Sequence, residues 1–96
     1  MTWKACERAI AKRFNGKRIG NSGSNTADVV AKGVSIEVKM RRVLPKWIVD
    51  AVEQACRNAI PGTMPFVVLH QTGDRHDDDI VCMRLSDFED WHGKED

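Results

Sequence analysis

The stretch that most constrains this chain is a short strand pattern in its first half. Val34, Ile36, Val38 and Met40 alternate with Ser35, Glu37, Lys39 and Arg41. A strand written that way lays one face on a core and gives the other to water. Residues 28–31 read as a second short strand, and Lys32-Gly33 joins the two. A two-residue link with a glycine is the signature of a tight hairpin. Simple antiparallel pairing across it sets residue 31 against 34, 30 against 35 and 28 against 37.

The remaining elements fall around that hairpin. Trp3, Glu7, Ile10 and Phe14 form one helical stripe over residues 3–14, and Asn15-Gly16 supplies a stop. Residues 17–26 are rich in turn formers, with room for a short strand near Arg18-Ile19. Pro45 suits the first turn of a second helix over 45–59, with Ile48, Val52, Ala55 and Ala59 as its apolar stripe. Residues 65–71 are almost continuously apolar and predict a strand buried on both faces. Residues 72–78 predict a polar turn, and 79–85 a further strand. Ser86 and Glu89 have capping-box spacing and predict a final short helix. Trp47 and Trp91 are expected in the core or at a dimer contact. The order α, strand meander, α, β, β, α implies an α/β or α+β fold with helices against a sheet. At 96 residues the chain is expected to form a single domain, 1–96.

Charge divides the chain unevenly. The total is +1, which alone argues against a polyanion partner. Residues 1–46 hold eleven basic groups against three acidic ones, and residues 47–96 hold four against eleven. Such asymmetry is the mark of a polyanion-binding face or of two differently solvated faces. Lys12, Arg13, Lys17 and Arg18 cluster after the first helix, and Arg41, Arg42 and Lys46 after the alternating strand. Both groups are placed to contact a DNA backbone, by shape and not by base sequence.

The three acids of the basic half are Glu7, Asp28 and Glu37. The hairpin register makes Asp28 and Glu37 cross-strand neighbours, and directly opposed carboxylates repel. A divalent cation offsets that repulsion, and carboxylate oxygens are the ligands Mg²⁺ and Mn²⁺ prefer. Glu37-Val38-Lys39 puts an ammonium on the same strand face as the carboxylate. A metal, a lysine beside it and flanking basic groups are what phosphodiester hydrolysis requires. Each part also has a plainer reading. An ExK strand face often carries only a surface salt bridge, Asp28 suits a turn, and Glu7 could pair with Lys4 or Arg8.

Taken together these residues resemble the PD-(D/E)XK nuclease superfamily, and most closely its small archaeal and phage Holliday-junction-resolvase-like members. The likeness runs from about Lys4 to about Phe88. It rests on Cys6-Glu7-Arg8, Ser22-Gly23, Ala27-Asp28, Ile36-Glu37-Val38-Lys39 and Gln54-Ala55. The resemblance implies a restriction-endonuclease-like αβββαβ core with a mixed central sheet. It implies Mg²⁺, replaceable by Mn²⁺, bound by Asp28, Glu37 and the Val38 carbonyl. Lys39 would be the catalytic lysine, Glu7 a further acidic site residue, and Gln54 a helper to the site. Ser22 or Ser24 would match a loop serine of resolvases. Two positions depart from the pattern: Ala27 replaces the proline of the eponymous pair, and Asn58 stands where some relatives have a tyrosine. The implied function is a Mg²⁺-dependent endonuclease acting on branched DNA as a homodimer, in the cytoplasm of a bacterial, archaeal or phage-infected cell. The alternative is a weakly active or inactive DNA-binding accessory protein on the same fold.

Other patterns point elsewhere. No apolar run approaches a membrane span, and no membrane partner is expected. Cys6, Cys56 and Cys82 are odd in number and widely spaced, so buried free thiols in a reducing compartment are expected. His76-Asp77-Asp78-Asp79 suits a cation or, more simply, a solvated hairpin tip.

Overall fold

The computed structural model describes residues 1–19 and 26–93. The protein is a small mixed α+β chain with three α-helices and two antiparallel sheets among the described residues. It divides into two compact units, Met1–Arg42 and Val43–Asp96.

In the first unit α1 spans Trp3–Arg13. The Thr2 hydroxyl starts it by accepting the Ala5 N–H at 3.0 Å. The stop falls where Asn15 adopts a left-handed backbone, φ 51°. Gly16 is needed for contact, since a Cβ there would lie 2.6 Å from the Val30 carbonyl oxygen and 2.8 Å from the Ala31 Cβ. The chain then forms β1 (Lys17–Arg18), β2 (Val29–Ala31) and β3 (Val34–Ile36), paired in that order. Val29 faces Ile36, Val30 faces Ser35 and Ala31 faces Val34, the register the two-residue link predicts. Gly33 takes the turn at φ 79°. The third strand ends at Ile36, short of the expected Met40. Its alternation still runs on through the irregular residues, with Val38 half-buried and Glu37 and Lys39 exposed. Helix α1 packs on β1 and β2, with Val29 fully buried and Ala11 and Glu7 nearly so.

In the second unit α2 spans Lys46–Asn58 and packs on β4, Val67–Leu69. Pro45 is the cap before the helix and not its first residue. Strand β4 pairs with β5, Ile80–Cys82, through a loop holding a 3₁₀ turn at His76–Asp78. The expectation that β4 is covered on both faces fails: Val68 is 52% exposed. Helix α3 is Leu85–His92. It begins before Ser86, with Arg84 as cap and no side-chain capping bond, so the capping box does not form. Trp47 and Trp91 are 62% and 59% exposed, so neither is a core residue. The three cysteines are free and half-buried, not fully buried.

The described α-helices and strands run α-β-β-β-α-β-β-α. The single mixed central sheet does not appear: the strands fall into two sheets, and every pairing is antiparallel. None of the five strands among the described residues exceeds three residues. No helix among the described residues is long and apolar enough to cross a membrane.

Candidate functional site

The first unit gathers chemistry at the open end of its β2–β3 hairpin. Asp28 lies just before β2 and Glu37 just after β3. Continuing the register one step past Val29 and Ile36 sets the two carboxyl groups against each other. They share a hydrogen bond. The Val38 N–H also donates to Asp28 Oδ2 at 2.8 Å. A strand that ends at Ile36 frees that N–H from the ladder and lets the aspartate take it.

The two acids are pushed in opposite directions. Asp28 is held below the ordinary carboxylate range, first by the Val38 N–H. Partial burial works against this, while the Glu37 hydrogen bond and the charges of Lys39 and Arg18 add to it. Glu37 is pushed above its ordinary value by its hydrogen bond to Asp28, then by the Asp28 charge and loss of water. The Glu7 charge pushes it the same way, and Lys39 pulls it back. Of the two, Asp28 ionises the more readily and Glu37 the less.

Glu7 approaches from α1. It is only 7% exposed. Arg18 on β1 donates from Nε to Glu7 Oε1 at 2.7 Å, and its guanidinium also lies over the Trp3 ring, 5.7 Å from the centroid. Glu7 is thus a buried, paired acid, and its partner is neither of the helix neighbours that spacing suggested. Arg18 thus faces this site.

The structure therefore brings Glu7, Asp28, Glu37 and Lys39 into one electrostatic neighbourhood, with Arg18 as a fifth member that sequence reasoning assigned elsewhere. No local pattern signalled that pairing, because it depends on the turn that folds β1 back beside α1. Gln54 is exposed on α2 in the other unit, as is Lys46, which pairs with Asp50 at 2.6 Å. Lys12, Arg13, Lys17, Arg41 and Arg42 are exposed in the first unit. Lys12 and Arg13 also complement the negative end of the α1 dipole. Ser22 and Ser24 lie outside the described residues.

The donor set is all oxygen, which fits a hard cation such as Mg²⁺ or Mn²⁺. Asp28 and Glu37 sit together at the open end of the hairpin. Glu7 is engaged by Arg18. A second cluster of ligand-type side chains, His70, His76 and Asp79, lies in the second unit, its ligand atoms all within 4.8 Å of one another. The expected solvated tip thus includes a partner, His70, that local sequence did not associate with it. Comparison with family models, curated proteins and solved structures returned no match.

Proposed function

We propose that the chain is a divalent-metal-dependent endonuclease that hydrolyses DNA phosphodiesters, with branched duplex as its substrate. The observation that carries this reading is the Asp28–Glu37 pair: two carboxyl groups held in contact by hairpin register, with Lys39 alongside and Glu7 behind. Asp28 and Glu37 would hold the ion, together with the Val38 carbonyl that the likeness to PD-(D/E)XK nucleases nominates. When bound there, Mg²⁺ or Mn²⁺ would polarise a phosphoryl oxygen and lower the pKa of a water. Lys39 places a positive charge next to the carboxylates, where it can orient that water or balance charge growing on phosphorus. Glu7, buried and paired, fixes Arg18 and with it the cationic wall of the site.

The surroundings support a polyanion substrate. The first unit alone holds ten basic groups and three acidic ones, a net +7, and those three acids are the site residues. A four-way junction needs two symmetric cuts, so a two-fold pair of chains is the matching assembly.

Purified protein incubated with junction, flap and linear duplex DNA in Mg²⁺ or Mn²⁺ should cut the branched forms. If all three stay intact in both metals, the nuclease reading is wrong. The Arg18–Glu7 ion pair favours a second reading, because it satisfies Glu7 without any metal. On that reading the chain binds DNA as an accessory factor and cuts little. Calorimetry separates the two, since only the nuclease requires Mg²⁺ or Mn²⁺ binding that depends on Asp28 and Glu37.

A further inference from the structure

The β4–β5 hairpin of the second unit builds a different ligand set from the same backbone logic. Val67 pairs with Cys82, Val68 with Val81 and Leu69 with Ile80. One further step, toward the loop, sets His70 opposite Asp79. The loop closes through the 3₁₀ turn at His76–Asp78, where the Asp79 N–H donates to the His76 carbonyl at 3.0 Å. Residues three apart eclipse in such a turn, so His76 is returned over Asp79. Both imidazoles then converge on one carboxylate. His70 Nδ1 is 2.7 Å from Asp79 Oδ1, and His76 Nδ1 is 3.0 Å from Oδ2. The two rings stand 4.5 Å apart at 33°.

We propose that His70, His76 and Asp79 form a three-ligand site for a borderline transition ion of the Zn²⁺ class. Two imidazole nitrogens and one carboxylate oxygen would bind it, and water would take the fourth position. The ligand atoms all lie within 4.8 Å of one another. A tetrahedral ion with bonds of about 2.0–2.1 Å spaces its ligands roughly 3.3 Å apart, so small side-chain movements suffice. Two nitrogens in a three-ligand set select Zn²⁺, Co²⁺ or Ni²⁺ over Mg²⁺ or Ca²⁺. The Asp79 side chain is only 11% exposed and anchors the set, while that of His76 is 83% exposed and gives the ion a way in. The loop charge is attractive to a cation: Asp74, Asp77 and Asp78 face a lone Arg75, itself paired to Asp77 at 2.7 Å. Coordination exchanges the two imidazole–carboxylate hydrogen bonds for metal bonds. An imidazole that ligates through Nδ1 keeps its proton on Nε2.

The test titrates the metal-free full-length chain with Zn²⁺, and with Co²⁺ as a coloured substitute, in excess Mg²⁺. The expected result is saturable binding that shifts the His70 and His76 imidazole resonances and leaves those of His92 in place. His76→Gln changes an exposed side chain and should preserve the fold by circular dichroism while weakening Zn²⁺ binding at least about tenfold. A Cys6→Ser, Cys56→Ser, Cys82→Ser variant should bind Zn²⁺ as the parent does. So should Asp28→Asn with Glu37→Gln, which makes this site independent of the nuclease reading. Absence of saturable binding overturns the proposal. So does binding that survives His76→Gln, or binding that disappears with the cysteines.

Discussion

The two hairpins of this protein use one device and put opposite demands on it. Each carries two ligand-type side chains facing one another one step beyond its last paired residues. In β2–β3 the step is toward the open end, and the pair is Asp28 and Glu37. In β4–β5 it is toward the loop, and the pair is His70 and Asp79. Opposed like charges destabilise a sheet, and complementary groups support it. The histidine–aspartate pair is satisfied as it stands, with His76 adding a second bond to the same carboxylate. In the carboxyl pair Asp28 accepts the Val38 N–H, while its charge works against ionisation of Glu37. A shared backbone geometry therefore carries both proposed sites, one of oxygen donors suited to a hard ion and one of nitrogen and oxygen donors suited to a softer one.

The strongest way to break this comparison is to remove the carboxyl pair. Glu37→Ala should lower cleavage of branched DNA by roughly 10²–10³-fold or more, with DNA binding retained in a gel-shift assay. Equal loss of binding and cleavage would mean that Glu37 supports the fold and not the chemistry. Glu7→Ala tests how far the first unit leans on its buried acid. It strands Arg18 and should cost about 2–3 kcal/mol in urea unfolding, less than a fully buried pair because Arg18 keeps some water. Pairing it with Arg18→Ala in a double-mutant cycle should recover most of that cost.

Gly16→Ala bears on the support beneath the hairpin. The added methyl meets the Val30 carbonyl oxygen, and the expected loss is about 1–3 kcal/mol, read by the same unfolding curve. No comparable loss is expected from Gly93→Ala, where a Cβ meets nothing.

The smallest effect is the pH dependence of the carboxyl pair in chelator. Asp28 is held below its ordinary value, so its stabilising effect is complete above that value and fades as pH falls through the lowered one. Glu37 is held above its ordinary value, so the native state keeps a proton that the unfolded chain has lost. Stability therefore declines as pH rises through the window between its ordinary and raised values. Glu37→Gln should remove that decline. Melting temperatures of variant and parent should agree at the acid end of the window and part slightly above it, the variant higher. Identical curves across the window would mean that the two acids do not share a proton.

Local patterns in the sequence already carried much of this. The Lys32-Gly33 link set the β2–β3 register, because two residues leave a hairpin almost no freedom, and that register alone placed Asp28 against Glu37. The helix stop at Asn15-Gly16 and the helical stripes were legible for the same reason: their causes lie within a few residues. What depended on distant groups was not legible. Glu7 found Arg18, and not Lys4 or Arg8, because the turn after α1 folds β1 back along the helix. His70 joined His76 and Asp79 because the β4–β5 ladder closes a loop whose length hides the register. Sequence by itself determined the local elements and the like-charged pair. Only the tertiary structure decided which cation faces the buried acid, and which three side chains meet at the second hairpin, since both follow from contacts between segments that no local pattern encodes.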